Sequence, residues 1–295
     1  MTAVLFLIAL SSLAASPIFV RIASAPIEFL GFWRLALAGI LFLLWELARH
    51  GIIRLQLRQL SSWKWTFLAG FFFFLHLWTY VASAQNTSVA HLVILFSTNP
   101  IFTALGAAFF FHERLKRRLW LAYPLALAGL WILASEKVDH VPNSNYGDVM
   151  AVLSAALHAA YLLSSKQARR FFPNIPFSVG LYLVAAALFG LVALWRDPSS
   201  LTLTSLSAWG GVAGLILFPT FLGHALMTTL VNRMDLSLLS CGKLLEPGIS
   251  SALAAVFLHE ALGPKAPLAF LLTSAAVLIV VWPKKWNFIF FSKEL

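Results

Sequence analysis

Three charged residues, Arg34, Lys243 and Glu246, fall inside long apolar stretches of the chain. A charge at the centre of a membrane-spanning helix costs about 2.5–3.5 kcal/mol on insertion scales, so one that persists marks a pathway or a pair. Lys243 and Glu246 are three apart and share a helix face. Arg34 and Lys243 suit a carboxylate or another anionic group, and Glu246 suits an ammonium or a proton. The plain alternative is a structural ion pair, but two cations against one carboxylate leave a positive charge over. Asn99 and Glu246 each directly precede a proline, Pro100 and Pro247. Proline deletes a helical hydrogen bond and bends the helix, and irregular backbone is tolerated within a membrane where it lines a cavity. His76 and His224 could carry a proton, since imidazole titrates near pH 6.5. Trp33 beside Arg34, and Trp78 near His76, could stack on a ring or a cation. Glu113 and Glu260 close two apolar stretches and are expected to face the positive N-terminus of the helix that follows, in a structural or gating role.

The elements that must hold these residues follow from composition. The 295 residues are 60% hydrophobic and 11% charged, against about 25% charged in an ordinary globular domain, and mean hydropathy is +0.86. A soluble enzyme, a disordered chain and a secreted disulfide scaffold are excluded; the one cysteine, Cys241, cannot form an intrachain bridge. The apolar runs are continuous rather than alternating, which is the pattern of spanning helices and not of barrel strands. The expected fold is an all-α membrane protein of ten spans, at about 2–21, 26–48, 63–84, 88–111, 118–135, 147–167, 176–195, 208–231, 235–258 and 264–282. Ser88 and Asp235 read as N-caps. Small residues at Ala104/Ala108, Ser251/Ala255 and Gly210/Gly214 read as close helix packing.

The net charge of +10 is then an orientation signal. With the N-terminus cytoplasmic, fifteen of the 21 lysines and arginines fall on the cytoplasmic side, from Arg49 and Lys64 through Arg169 and Arg170 to Lys293. Only Arg21, Lys137, Arg196 and Lys265 fall opposite. Cytoplasmic loops are enriched in such residues, so both termini are expected inside the cell, in the cytoplasmic membrane, and nucleic acid is not an expected partner. Most of the tryptophans, among them Trp45, Trp63, Trp195 and Trp209, lie near span ends as an interfacial belt.

The chain also repeats itself. Residues 96–115 align with 243–262, matching Pro100 to Pro247, Ala107-Ala108 to Ala254-Ala255, Phe110 to Phe257, His112-Glu113 to His259-Glu260 and Leu115 to Leu262. The offset is 247 − 100 = 147 residues. Five spans per repeat is an odd number, so the halves are expected to be inverted, an arrangement of many secondary carriers in which the site lies at the repeat interface.

Ten spans in two halves, with Asn99-Pro100…His112-Glu113 and Glu246-Pro247…His259-Glu260 in corresponding places, resemble the drug/metabolite transporter superfamily, EamA type. Histidine stands before Glu113 and Glu260 where that pattern has glycine or asparagine. The resemblance implies a carrier of small metabolites with a central cavity, whose better-known relatives export amino acids. It divides the chain into repeats at 1–136 and 147–283 and a cytoplasmic tail at 284–295. It also implies a small-molecule substrate, lipid contacts, and no cofactor, with proton coupling open and the oligomeric state unassigned. No G-x-S-x-G, H-E-x-x-H or phosphate-loop motif is present, so an enzyme is not expected. The aromatic content and basic rim leave a flippase for a lipid or lipid-linked precursor as the alternative.

Overall fold

A run of about 20 apolar residues has one way to satisfy its backbone in hydrocarbon, which is to close every hydrogen bond within itself. The structure, a computed structural model, describes residues 2–50, 60–112, 119–135, 144–202, 205–226 and 245–281, and all its regular elements are helical. They are α1 (Thr2–Ala14), α2 (Ser16–Ala23), α3 (Ile27–His50), α4 (Leu60–Asn86), α5 (Val89–Phe96) and α6 (Asn99–Phe111). After these come α7 (Leu119–Ala134), α8 (Ser144–Ala168), α9 (Asn174–Arg196), α10 (Leu206–Leu215), α11 (Glu246–Leu258) and α12 (Ala266–Val281). Among the described residues seven segments are long and apolar enough to span a membrane, and three shorter apolar helices accompany them.

Three expected spans are not continuous α-helices. The first breaks at Ala15, with Pro17 in the opening turn of α2. The fourth breaks at Ser97-Thr98, and Pro100 opens α6. In the eighth, α10 passes into a π-helical stretch, Ile216–Ala225, that contains Pro219. Each proline sits where its missing N–H does least harm or where another group replaces it.

The repeat is visible in the helix bounds. A shift of 147, the distance from Asn99 to Glu246, carries 99–111 onto 246–258 and 119–134 onto 266–281, and brings the start of α3 at 27 onto the start of α9 at 174. Both α6 and α11 end on a histidine in the left-handed region, His112 at φ 52° and His259 at φ 56°. Their N–H groups bond back to Ala107 and Ala254, themselves repeat partners. That conformation explains why the pattern calls for glycine or asparagine there; histidine is one of the few other residues that adopts it with any frequency.

Two pairs of equivalent helices lie side by side and run in opposite directions. In α3 and α9, Glu28 meets Arg196 while Gly39 lies against Leu183. In α7 and α12, Ser135 meets Lys265 while Gly129 lies against Ala269 and Thr273. α4 is likewise antiparallel to α8, with Trp63 near Phe172, His76 bonded to Ser154 and Thr87 bonded to Asp148. Gly147 lets α8 begin against the α4–α5 turn, because a Cβ there would come within 2.6 Å of the Asn86 backbone. Gly211 and Gly214 pack tightly on Ala23 and Phe19 of α2, whereas a Cβ on Gly210 would meet open space. The close approach therefore uses Gly211 in place of Gly210, by helical phase. The two larger cores lie around Phe29, Val89, Leu92 and Leu215 and around Leu35, Phe74, Leu181 and Phe189, with smaller clusters around Phe6, Ala9 and Leu10 and around Ile101, Ala122 and Ala276.

Candidate functional site

Arg34, the eighth residue of α3, is 6% exposed. Its Nε donates to Thr220 Oγ1 at 3.3 Å, and Thr220 Oγ1 in turn donates to the Leu215 carbonyl at 2.9 Å. The local reason is Pro219. In an α-helix the N–H of residue 219 would serve the Leu215 carbonyl; proline has none, and the next residue's hydroxyl replaces it. Thr220 is thereby fixed with its lone pairs toward Arg34. A guanidinium has five N–H donors, and among the described residues no acceptor meets the other four.

Thr220 lines a cavity of about 870 Å³. The remaining walls come from α3 (Phe42), α4 (Phe73), α8 (Tyr161, Ser165) and α9 (Ser178, Tyr182), and the mouth from Arg49, Lys166, Arg169 and Arg170. Arg34, Phe42, Trp45 and Arg49 fall on one face of α3, so from Arg34 to the mouth is about 22 Å at 1.5 Å per residue. No carboxylate is among the cavity's described lining residues.

The opposite end is tied shut. Arg21 pairs with Glu260 and donates to the Ala84 carbonyl at 3.1 Å, and Glu260 Oε2 accepts the Val89 N–H at 2.9 Å. Arg196 pairs with Glu28 at 2.8 Å and lies 5.8 Å from the Trp78 ring. Asp148 accepts the Thr87 hydroxyl at 2.7 Å and faces His91 Nδ1 at 3.1 Å from each oxygen. Every ion pair found among the described residues lies at this end.

The site residues expected from sequence sort into three groups. Arg34 and Glu246 both lie within electrostatic reach of Tyr80. His76 joins this neighbourhood, bonded to Ser154 Oγ at 2.8 Å and stacked on Phe96. A second group ties helices together. Asn99 donates to the Ala155 carbonyl at 2.7 Å, Trp33 donates to the Leu201 carbonyl at 3.0 Å, and Trp78 stacks on Phe189. Pro100 and Pro247 open α6 and α11. Glu260 does face a helix N-terminus, but that of α5 rather than the helix that follows it. Here the physical reason was right and the helix wrong: Arg21 draws the carboxylate across to α5. Lys243, Glu113 and the Asp235 cap lie outside the described residues, as does the His224 side chain; Ser88 caps α5 through the His91 N–H. Sequence reasoning missed Thr220, Tyr182 and the Asp148–His91 pair. Proline before Thr220 was the available signal for the first, and a carboxylate near the start of an apolar span for the last.

This is a multi-pass membrane protein whose helices enclose a cavity, the build of a transport protein. The chain belongs to the EamA-like transporter family, whose model matches residues 1–135 and again 145–282. It is similar to the uncharacterized transporter YwfM of Bacillus subtilis, 26% identical over 75% of each chain. It is also similar to the protein RarD of Streptomyces exfoliatus, 26% identical over 85% of this chain and 76% of that one. A solved crystal structure shares the fold, with a TM-score of 0.64 at 22% identity over 94% of this chain and 95% of the other.

Proposed function

We propose that this protein is a secondary carrier that moves a small organic metabolite, an amino acid or a related carboxylate-bearing compound, across the cytoplasmic membrane by alternating access. The observation that carries the reading is Arg34, a buried guanidinium held one residue behind the wall of an 870 Å³ cavity through the lining residue Thr220, with four donors unused among the described residues. Ligand sites run to about 300–1,000 Å³, so the volume suits one metabolite. The two halves, 1–136 and 147–283, are read as inverted repeats, supported by the antiparallel pairing of equivalent helices α3 with α9 and α7 with α12. The cavity draws walls from both halves, as alternating access by exchange of their conformations requires. The basic mouth is taken as cytoplasmic from the lysine and arginine bias, which makes this an inward-open state with both termini inside.

Counterflow in proteoliposomes, with a panel of labelled metabolites at two pH values, tests the reading. Saturable uptake of a carboxylate-bearing compound is the expected result. Scrambling of labelled lipid with no uptake of any metabolite would replace the carrier by a flippase.

A further inference from the structure

The carrier reading leaves the charge of the substrate open between a zwitterion and an anion. We infer that the cavity is built for an aromatic organic anion; this inference rests on the carrier reading.

Charge is the first ground. Inward from the mouth the described path meets Arg49, Lys166, Arg169 and Arg170, then Thr220 with Arg34 behind it, and no carboxylate is among the described lining residues. Basic residues at the mouth also follow from topology, so on their own they would carry little. Arg34 is different, because it sits within a span where its insertion penalty needs a return. Its described hydrogen bond is to a neutral hydroxyl already donating to Leu215. A planar fork of unused N–H groups binds carboxylate, sulfonate or phosphonate oxygens in pairs. Glu246 opens α11, and no carboxylate is among the described wall residues.

Shape is the second ground. Phe42, Phe73, Tyr161 and Tyr182 form a continuous aromatic wall: Phe42 lies 5.8 Å from Tyr182, and Phe73 lies 4.8 Å from Tyr161 and 5.9 Å from Tyr182. Such a wall receives a flat apolar body by edge or offset contact. Ser165 and Ser178 supply the sparse polar groups that orient a ligand in an otherwise apolar pocket. The cationic mouth raises the local concentration of anions and repels cations.

Three permanently charged or zwitterionic probes with one ring separate the alternatives: benzenesulfonate, phenylalanine and phenyltrimethylammonium. Uptake by counterflow into vesicles of neutral lipid is expected at least tenfold faster for the sulfonate than for the ammonium, with phenylalanine between. Thr220→Val should raise the KM for the sulfonate several-fold while the maximal rate holds, because the hydroxyl orients Arg34 rather than closing the cavity. Equal or faster uptake of phenylalanine or of the ammonium overturns the anion assignment and leaves the carrier standing. Uptake of none of the three, with scrambling of a labelled anionic lipid in the same vesicles, overturns both.

Discussion

The two ends of the molecule use the same side chain to opposite effect. At one end Arg21 and Arg196 each meet a carboxylate from another helix, Glu260 and Glu28. At the other, Arg49 rests over the Trp45 ring at 4.4 Å and joins Arg169 and Arg170 around open space. An arginine shuts a membrane protein only when its partner belongs to an element that must move away for the end to open. Without such a partner it sets orientation and shapes the field at the entrance. The ties also differ among themselves. Both side chains of the Arg21–Glu260 pair are about four-fifths buried, whereas Arg196 is 56% exposed. Exposed pairs contribute at most about 1 kcal/mol, so the first tie should hold the closed end more firmly.

Four measurements would break or sharpen this contrast. Arg34→Gln removes the charge behind Thr220 and should cut counterflow by about 10- to 100-fold, the equivalent of roughly 1.5–3 kcal/mol for a hydrogen bond to a charged group. Undiminished uptake by well-folded protein would remove Arg34 from the site. Gly147→Ala forces the α8 start off the Asn86 backbone and should cost about 1–3 kcal/mol, seen as a lower melting temperature in detergent. Gly210→Ala, which meets nothing, should leave it unchanged. Glu260→Gln loosens the closed end. In a Cys241→Ser background, labelling of Gln85→Cys by an impermeant maleimide should quicken by about tenfold, which is 1.4 kcal/mol of population shift. Glu28→Gln should change the same labelling by less than about threefold, as an exposed pair is worth little. A larger effect from Glu28 than from Glu260 would reverse the ranking of the two ties.

Much of the scaffold was legible because lipid leaves so few solutions. The apolar runs fixed helices, the prolines at 17, 100 and 219 marked where they break or widen, and the offset of 147 reappears in matching helix bounds. Arg34 was legible as a charge out of place. What could not be read were partners distant in sequence. Nothing near Glu260 announces Arg21, 239 residues away, and so the carboxylate was expected on its nearest helix. Gly210 and Gly211 differ only in which side of a helix they face, and a repeat of small residues does not carry that phase. Thr220 went unread because its role depends on a carbonyl left over by its neighbour and on a guanidinium from another span.

The widened stretch Ile216–Ala225 has a consequence for motion. A π-helix packs more residues into a given length than an α-helix, so it holds slack that the rest of the span lacks. Taking up that slack would lengthen the span and swing each residue after it around the axis, as unscrewing a thread does. Thr220 lies at the middle of the stretch and Arg34 reads its position, so a change of helical pitch there would reach the guanidinium without any helix having to slide past its neighbour.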